Sequence, residues 1–104
     1  MITVFTKFPI KAEHYEEFAN HIKEAVKKHN IEAQDGFLDM RLLAPQNLPM
    51  IEENSQFIIE TSWKDIKSFT NYTISDDFKK SHENLPPHDW FAGRPEVKVY
   101  ETIE

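Results

Sequence analysis

The hydrophobic period of this chain changes four times within 104 residues, and that succession restricts its fold more than any single motif. From Met1 to Ile10 the period is two. Ile2, Val4, Thr6 and Phe8 point one way, Thr3, Phe5 and Lys7 the other. β-Branched and aromatic residues dominate, which predicts a strand, and Pro9, with no N–H for a ladder, marks its end. From Ala12 to His29 the spacing turns helical. Tyr15, Phe18, Ala19, Ile22, Ala25 and Val26 form one apolar face, with acids at the start and Lys27, Lys28 and His29 at the end, the order a helix dipole favours. Asp35-Gly36 reads as a turn. Phe37 to Leu43 alternates again, with Leu38, Met40 and Leu42 on one side and Phe37, Asp39, Arg41 and Leu43 on the other. Phe57 to Trp63 does the same, with Phe57, Ile59, Thr61 and Trp63 opposite Ile58, Glu60 and Ser62. The polar, proline-containing run from Ala44 to Gln56 between them is a loop. A second helical stretch starts at Ser62 or Asp65 with Ile66, Phe69 and Tyr72 inward. Ser75-Asp76-Asp77 caps a further short helix to about His82, with Phe78 and His82 on one face. "ENLPPHDWFAGRP" is a loop, and Glu96 to Ile103 a last strand.

The order β-α-β-β-α-β over residues 1–104 is that of one ferredoxin-like α+β domain, an antiparallel four-stranded sheet with helices on one face. Such a sheet normally leaves its other face wet. Here Phe5 stands opposite Val4 and Phe37 opposite Leu38, so both faces carry apolar side chains. That predicts a homodimer, sheet packed against sheet.

Several function classes fall away on composition. The formal charge of −6, with lysines scattered among acids, argues against nucleic acid. The absence of cysteine excludes thiolate nucleophiles, Fe–S clusters and Cys-built zinc sites, and two glycines cannot make a phosphate-cradling loop. No apolar run reaches the roughly 20 residues that span a bilayer, and the N-terminus lacks a secretory pattern, so a cytoplasmic location and no membrane partner are expected.

"DGFLDMRLL", "TSWKDIKSFTNYTISDDFKKSH" and "FAGRPEVKVYET" together resemble the antibiotic-biosynthesis-monooxygenase superfamily of dimeric α+β barrels, over nearly the whole chain. Within it, Trp63 to Phe69 followed by Ser75 to His82 resembles the haem-degrading branch. The resemblance implies that His82 is an axial ligand of haem iron and that haem is both cofactor and substrate. In that branch an asparagine on the first strand hydrogen-bonds near the distal oxygen, and a tryptophan on the helix before the histidine crowds the porphyrin. Thr6 falls where the asparagine would be and Tyr72 where the tryptophan would be. Thr6 can donate one hydrogen bond, and Tyr72 is a large aromatic with a hydroxyl.

Read without that resemblance, His82 is a helix-ending histidine, favourable near the negative helix terminus. Tyr72 and Phe69 are core or pocket wall, Thr6 a small strand residue, and Trp63 a packed aromatic. Trp90 and Phe91 clamp a pocket mouth or pack across a dimer. His14, His21 and His29 lie near one stripe of the first helix, too far apart to chelate together, and read as flank or surface. His88, in the loop after Pro87, could approach the pocket. Three functional expectations follow. In the first, a small apolar planar ligand, most concretely haem, sits between helices and sheet and is opened with oxygen and an external reductant. His82 ligates iron, Tyr72 and Phe69 pack on the porphyrin, and Thr6 donates a hydrogen bond. In the second, an aromatic or quinol-like substrate is oxidised by oxygen without a cofactor, with His82 or Tyr72 handling a proton. In the third, the domain is a non-catalytic dimeric ligand-binding module, which an empty, closed or polar-filled space beneath His82 would support.

Overall fold

The structure, a computed structural model, describes residues 1–83 and 85–104; Asn84, in the loop expected from Glu83 to Pro95, lies outside them. The elements are β1 (Ile2–Pro9), α1 (Tyr15–Lys28), β2 (Phe37–Leu43), β3 (Gln56–Trp63), α2 (Ile66–Thr73), α3 (Asp76–Ser81) and β4 (Glu96–Glu101), with 3-10 turns at Ala12–His14, Ile31–Ala33 and His88–Trp90. The sheet runs β2-β3-β1-β4 with every neighbouring pair antiparallel. This is the ferredoxin-like order expected from the sequence, with β3 lying between β1 and β2, the two strands that α1 connects.

Registers fix which side chains share the helix-covered face. Val4 stands beside Thr61 and Val99, Thr6 beside Ile59 and Val97, and Phe8 beside Phe57. Two clusters fill the space under the helices. One contains Val4, Ile31, Trp63 and Tyr72; the other contains Ile10, Phe18, Ile22 and Phe57. Trp63 and Phe18 are wholly buried, and the Trp63 indole N–H donates to the Thr61 hydroxyl at 2.9 Å, so its one polar atom is satisfied inside the core.

One strand face differs from the alternation read in the sequence. The β2–β3 register shifts between Phe37 and Asp39, leaving Leu38 as an extra residue. A bulge reverses the side-chain faces on either side of it. Phe37 therefore turns inward, edge-on to Trp63 at 5.6 Å, while Leu38 is exposed. Ile66, expected inward, is exposed as well. Each three-residue step along a helix turns back by about 60°, so with Phe69 and Tyr72 facing the core Ile66 falls about 90° from the centre of that face.

Both helix starts predicted by capping occur. The Asp65 carboxylate accepts from the Ser68 N–H at 2.8 Å, and the Ser75 hydroxyl accepts from the Phe78 N–H at 3.2 Å. The last strand is shorter than expected, ending at Glu101. Trp90 and Phe91 are taken up within their own chain: Phe91 lies against Phe8 and Phe18, and Trp90 stacks on His14 at 5.7 Å. The loop from Ala44 to Ser55 is cinched at its base, where Asn47 and Asn54 bond each other in both directions at 3.0 and 2.6 Å. No helix among the described residues is long and apolar enough to cross a membrane.

Candidate functional site

Between the helices and the sheet lies a cavity of about 580 Å³, within the range of small-molecule and cofactor sites. Its floor is the sheet (Val4, Thr6, Met40, Ile59, Thr61), one wall is α1 (Phe18, Ile22, Ala25, Val26), and the other is formed by α2 and α3 with Leu85 and Pro86. Apolar side chains dominate because the inward faces of an α+β layer must be apolar to fold. On β4 the inward-facing Val97 and Val99 are about half exposed, and Val97 lines the cavity.

All four residues expected at the site (Thr6, Phe69, Tyr72 and His82) line this one cavity. Thr6 is half-buried on the floor, flanked across the strands by Ile59 and Val97. The others form a ladder of rings running outward from the core. Tyr72 stacks on buried Trp63 at 5.3 Å, Phe78 stands edge-on to Tyr72 at 5.4 Å, and the His82 ring lies on Phe78 at 4.1 Å. Phe69 also packs on Trp63, tilted, at 5.7 Å. Burial holds the Tyr72 hydroxyl above its ordinary pKa, with a hydrogen bond to Ser81 opposing part of the rise, so the phenol stays protonated near neutrality.

His82 both ends a helix and lines the cavity. It is the C-cap of α3, its N–H donating to the Lys79 carbonyl at 3.1 Å, and it is also an exposed ring on the cavity lining. The ring is not loose. Its Nδ1 lies 2.8 Å from the Phe78 carbonyl oxygen. A carbonyl can only accept, so that contact requires the proton on Nδ1 and leaves Nε2 with a free lone pair in the neutral ring. The residue that orients His82 is thus a main-chain carbonyl on its own helix rather than the adjacent Glu83.

Two further histidines reach the cavity, although the sequence suggested flank or surface for them: His21 and His29, both on the lining. The signal was present. His21 sits three residues after Phe18 and four before Ala25, and His29 four after Ala25, so both adjoin the inward stripe. The pKa of His29 is lowered, first by burial and next by the nearby His82 and Lys28, with Asp77 opposing. His88 is exposed and is not among the cavity-lining residues. No residue of the 44–55 loop lines the cavity among the described residues. No cluster of three or more His, Asp or Glu able to hold a bare metal ion occurs among them either.

Comparison with known proteins adds the following. The sequence model of the family described as antibiotic biosynthesis monooxygenase matches residues 1–84. No protein of curated function matches the chain. Among solved structures, a conserved protein from Methanosarcina mazei Go1 is 23% identical, with a TM-score of 0.69 over 95% of this chain and 89% of that one. The haem degrader MhuD from Mycobacterium tuberculosis, solved with two haems in its active site, is 15% identical with a TM-score of 0.75, covering 100% of this chain and 97% of that one. A further antibiotic biosynthesis monooxygenase is 15% identical with a TM-score of 0.70, covering 100% of both chains.

Proposed function

Because the chain belongs to the antibiotic biosynthesis monooxygenase family, we propose that its cavity takes a planar, largely apolar ligand, haem, and that the protein opens it oxidatively with oxygen and an external reductant. The observation that carries this reading is His82: a ring whose Nδ1 is tied to a backbone carbonyl, leaving Nε2 free on the lining of an apolar hollow of about 580 Å³. A neutral imidazole held this way by its second nitrogen is a good iron donor. Likeness to the haem degrader MhuD supports the reading.

Haem, when bound, would supply both the redox-active iron and the ring to be opened. The chain's own residues do the rest. His82 anchors the ligand through Nε2. Phe69 and Tyr72 offer apolar area for the flat face of the macrocycle, and the aliphatic floor excludes water. Thr6 contributes one hydroxyl from the floor, and the protonated Tyr72 phenol a second donor. On adding hemin, the purified protein should show a saturable Soret shift that is lost in His82→Ala. Equal spectra for the two proteins would sink the haem reading.

A second reading is favoured by a separate observation, the company of His29. Burial keeps this imidazole neutral to lower pH, and it lines the same hollow as His82, so two bases are available to a phenolic hydroxyl. The reaction would then be cofactor-independent oxidation of a quinol-like substrate, detected as oxygen uptake with an aromatic diol in metal-free protein. The third reading, a non-catalytic dimeric ligand-binding module, would use the same large apolar space beside His82, and binding without turnover in either assay would favour it.

The working unit in either case is a homodimer. The outer sheet face carries Phe5, Leu43, Ile58 and Tyr100, with Phe5 edge-on to Tyr100 at 5.5 Å, around an Arg41–Glu60 pair at 2.7 Å. Apolar area of this kind beside a satisfied ion pair suits a second copy. Sedimentation should give twice the chain mass, and Phe5→Glu should give a monomer.

A further inference from the structure

The cavity is long, and its two ends lie in different parts of the core. On the sheet floor it runs from Val4 to Phe8, a distance of about 13 Å at the rise of a strand. Val4 belongs to the cluster of Trp63 and Tyr72; Phe78 packs against that cluster, and His82 lies on Phe78. Phe8 packs against the other cluster, that of Phe18 and Phe57, as do Trp90 and Phe91. The α1 wall has the same span, since the helix rises about 12 Å from His21 to His29. His29 lies at the His82 end, close enough to feel the charge of that ring. His21 lies at the other end, its ring along Phe18 at 6.5 Å and perpendicular to Trp90 at 6.2 Å.

Between the two ends the α1 wall is Ile22, Ala25 and Val26, and among the described residues no Lys, Arg, Asp or Glu lines the cavity. The rings of His14 and His82 have hydrogen-bond partners within the chain. The His21 ring has none among the described residues, yet no buried side-chain nitrogen among them lacks a partner. The nitrogens of this half-buried ring are therefore open to a partner from outside the chain.

We infer that His21 is a ligand-binding residue, which hydrogen-bonds a hydroxyl or carbonyl oxygen at the far end of an elongated apolar ligand whose near end lies at His82. A neutral imidazole donates from one nitrogen and accepts at the other, so it suits either oxygen. The oxygen is uncharged, because the lining holds no fixed cation to pair with an anion. The inference rests on the second, cofactor-independent reading for its class of ligand and adds a second point of recognition to it.

The test uses two rigid, linear three-ring probes that differ by one terminal hydroxyl, anthracene-2,6-diol and anthracen-2-ol. Their dissociation constants are measured by ligand fluorescence without oxygen, in the wild type, His21→Leu and His21→Gln. The wild type should prefer the diol by about fivefold or more, the worth of one net hydrogen bond. His21→Leu should cut that preference to about twofold or less, and His21→Gln, whose amide both donates and accepts, should keep part of it. No preference in the wild type, an undiminished preference in His21→Leu, a loss in His21→Gln as full as in His21→Leu, or no saturable binding of either probe overturns the inference. Oxygen uptake with the same diol in air tests the second reading separately. Uptake without a diol preference removes His21 from that reading and leaves the reading standing; a diol preference without uptake sinks the reading and leaves His21 a binding residue.

Discussion

Replacing Gly36 with alanine should unfasten the wall that carries Tyr72 and Phe69. Gly36 adopts φ +82°, and a Cβ built there meets the Ser68 Oγ at 2.1 Å and its Cβ at 2.4 Å. Two costs add. A side chain in the left-handed region costs roughly 1–2 kcal/mol. The contact must also push Ser68 aside, and Ser68 is no free side chain: its N–H and Oγ both donate to the Asp65 carboxylate, at 2.8 and 2.7 Å, and this is the cap that starts α2. Loss of such a cap costs about 0.5–2 kcal/mol. The backbone cannot yield easily either, because the Gly36 carbonyl accepts from the Lys64 N–H at 2.8 Å. The sum is about 1.5–4 kcal/mol, which for a domain of this size lowers the melting temperature by roughly 6–30 °C. Urea titrations at one protein concentration measure it as a shift in midpoint. A double-mutant cycle separates the two costs. Ser68→Gly removes both contacting atoms, so the combined variant should be less destabilised than the two singles added, by about 1 kcal/mol or more. A loss below about 1 kcal/mol for Gly36→Ala, or strict additivity in the cycle, would refute the argument from conformation and contact.

Phe18→Ala should cost about 3–5 kcal/mol, read in the same urea titrations, because the ring is wholly buried and touches Phe8, Phe57 and Phe91 at 5.4, 5.0 and 6.1 Å. His29 should make stability depend on acid. Its folded pKa lies below the ordinary 6.5, so the unfolded chain takes up the proton first, and stability present above that value is lost as the pH falls through it toward the folded value. Denaturation midpoints from about pH 7.5 to about 5.5 should therefore fall less steeply in His29→Gln than in the wild type; parallel curves would count against the assignment.

The period of the hydrophobic pattern was enough to read the element order, and the Asp and Ser side chains before each run the helix caps, whereas the grouping of Phe69, Tyr72 and His82 at one site came from the family resemblance. Three features escaped it, each for a physical reason. The bulge at Leu38 inserts one residue, and a one-residue slip inverts a strand's faces, so Phe37 and Leu38 exchanged places without any change in composition to announce it. His21 and His29 were set aside because they cannot chelate together, yet a cavity needs only that each adjoin the inward stripe, and both do. The Phe78 carbonyl that orients His82 has no side-chain signature at all, since every residue carries the same backbone acceptor.

The departures at Thr6 and Tyr72 bear on how a ligand would be recognised. Tyr72 is wedged between Trp63 and Phe78, so its ring belongs to the core as much as to the cavity, and an indole in its place could extend only into the hollow. The buried phenol keeps its proton. Thr6, between Ile59 and Val97, offers one hydroxyl amid aliphatic neighbours. A ligand filling this space would gain most of its affinity from apolar burial, which any flat hydrophobic molecule of suitable size can supply. Tight binding of a planar compound therefore says little about chemistry. Dependence of that binding on Nε2 of His82 separates the two enzymatic readings, because an iron donor cannot be spared from a haem site, whereas a quinol site that loses His82 still has His29 on the same lining.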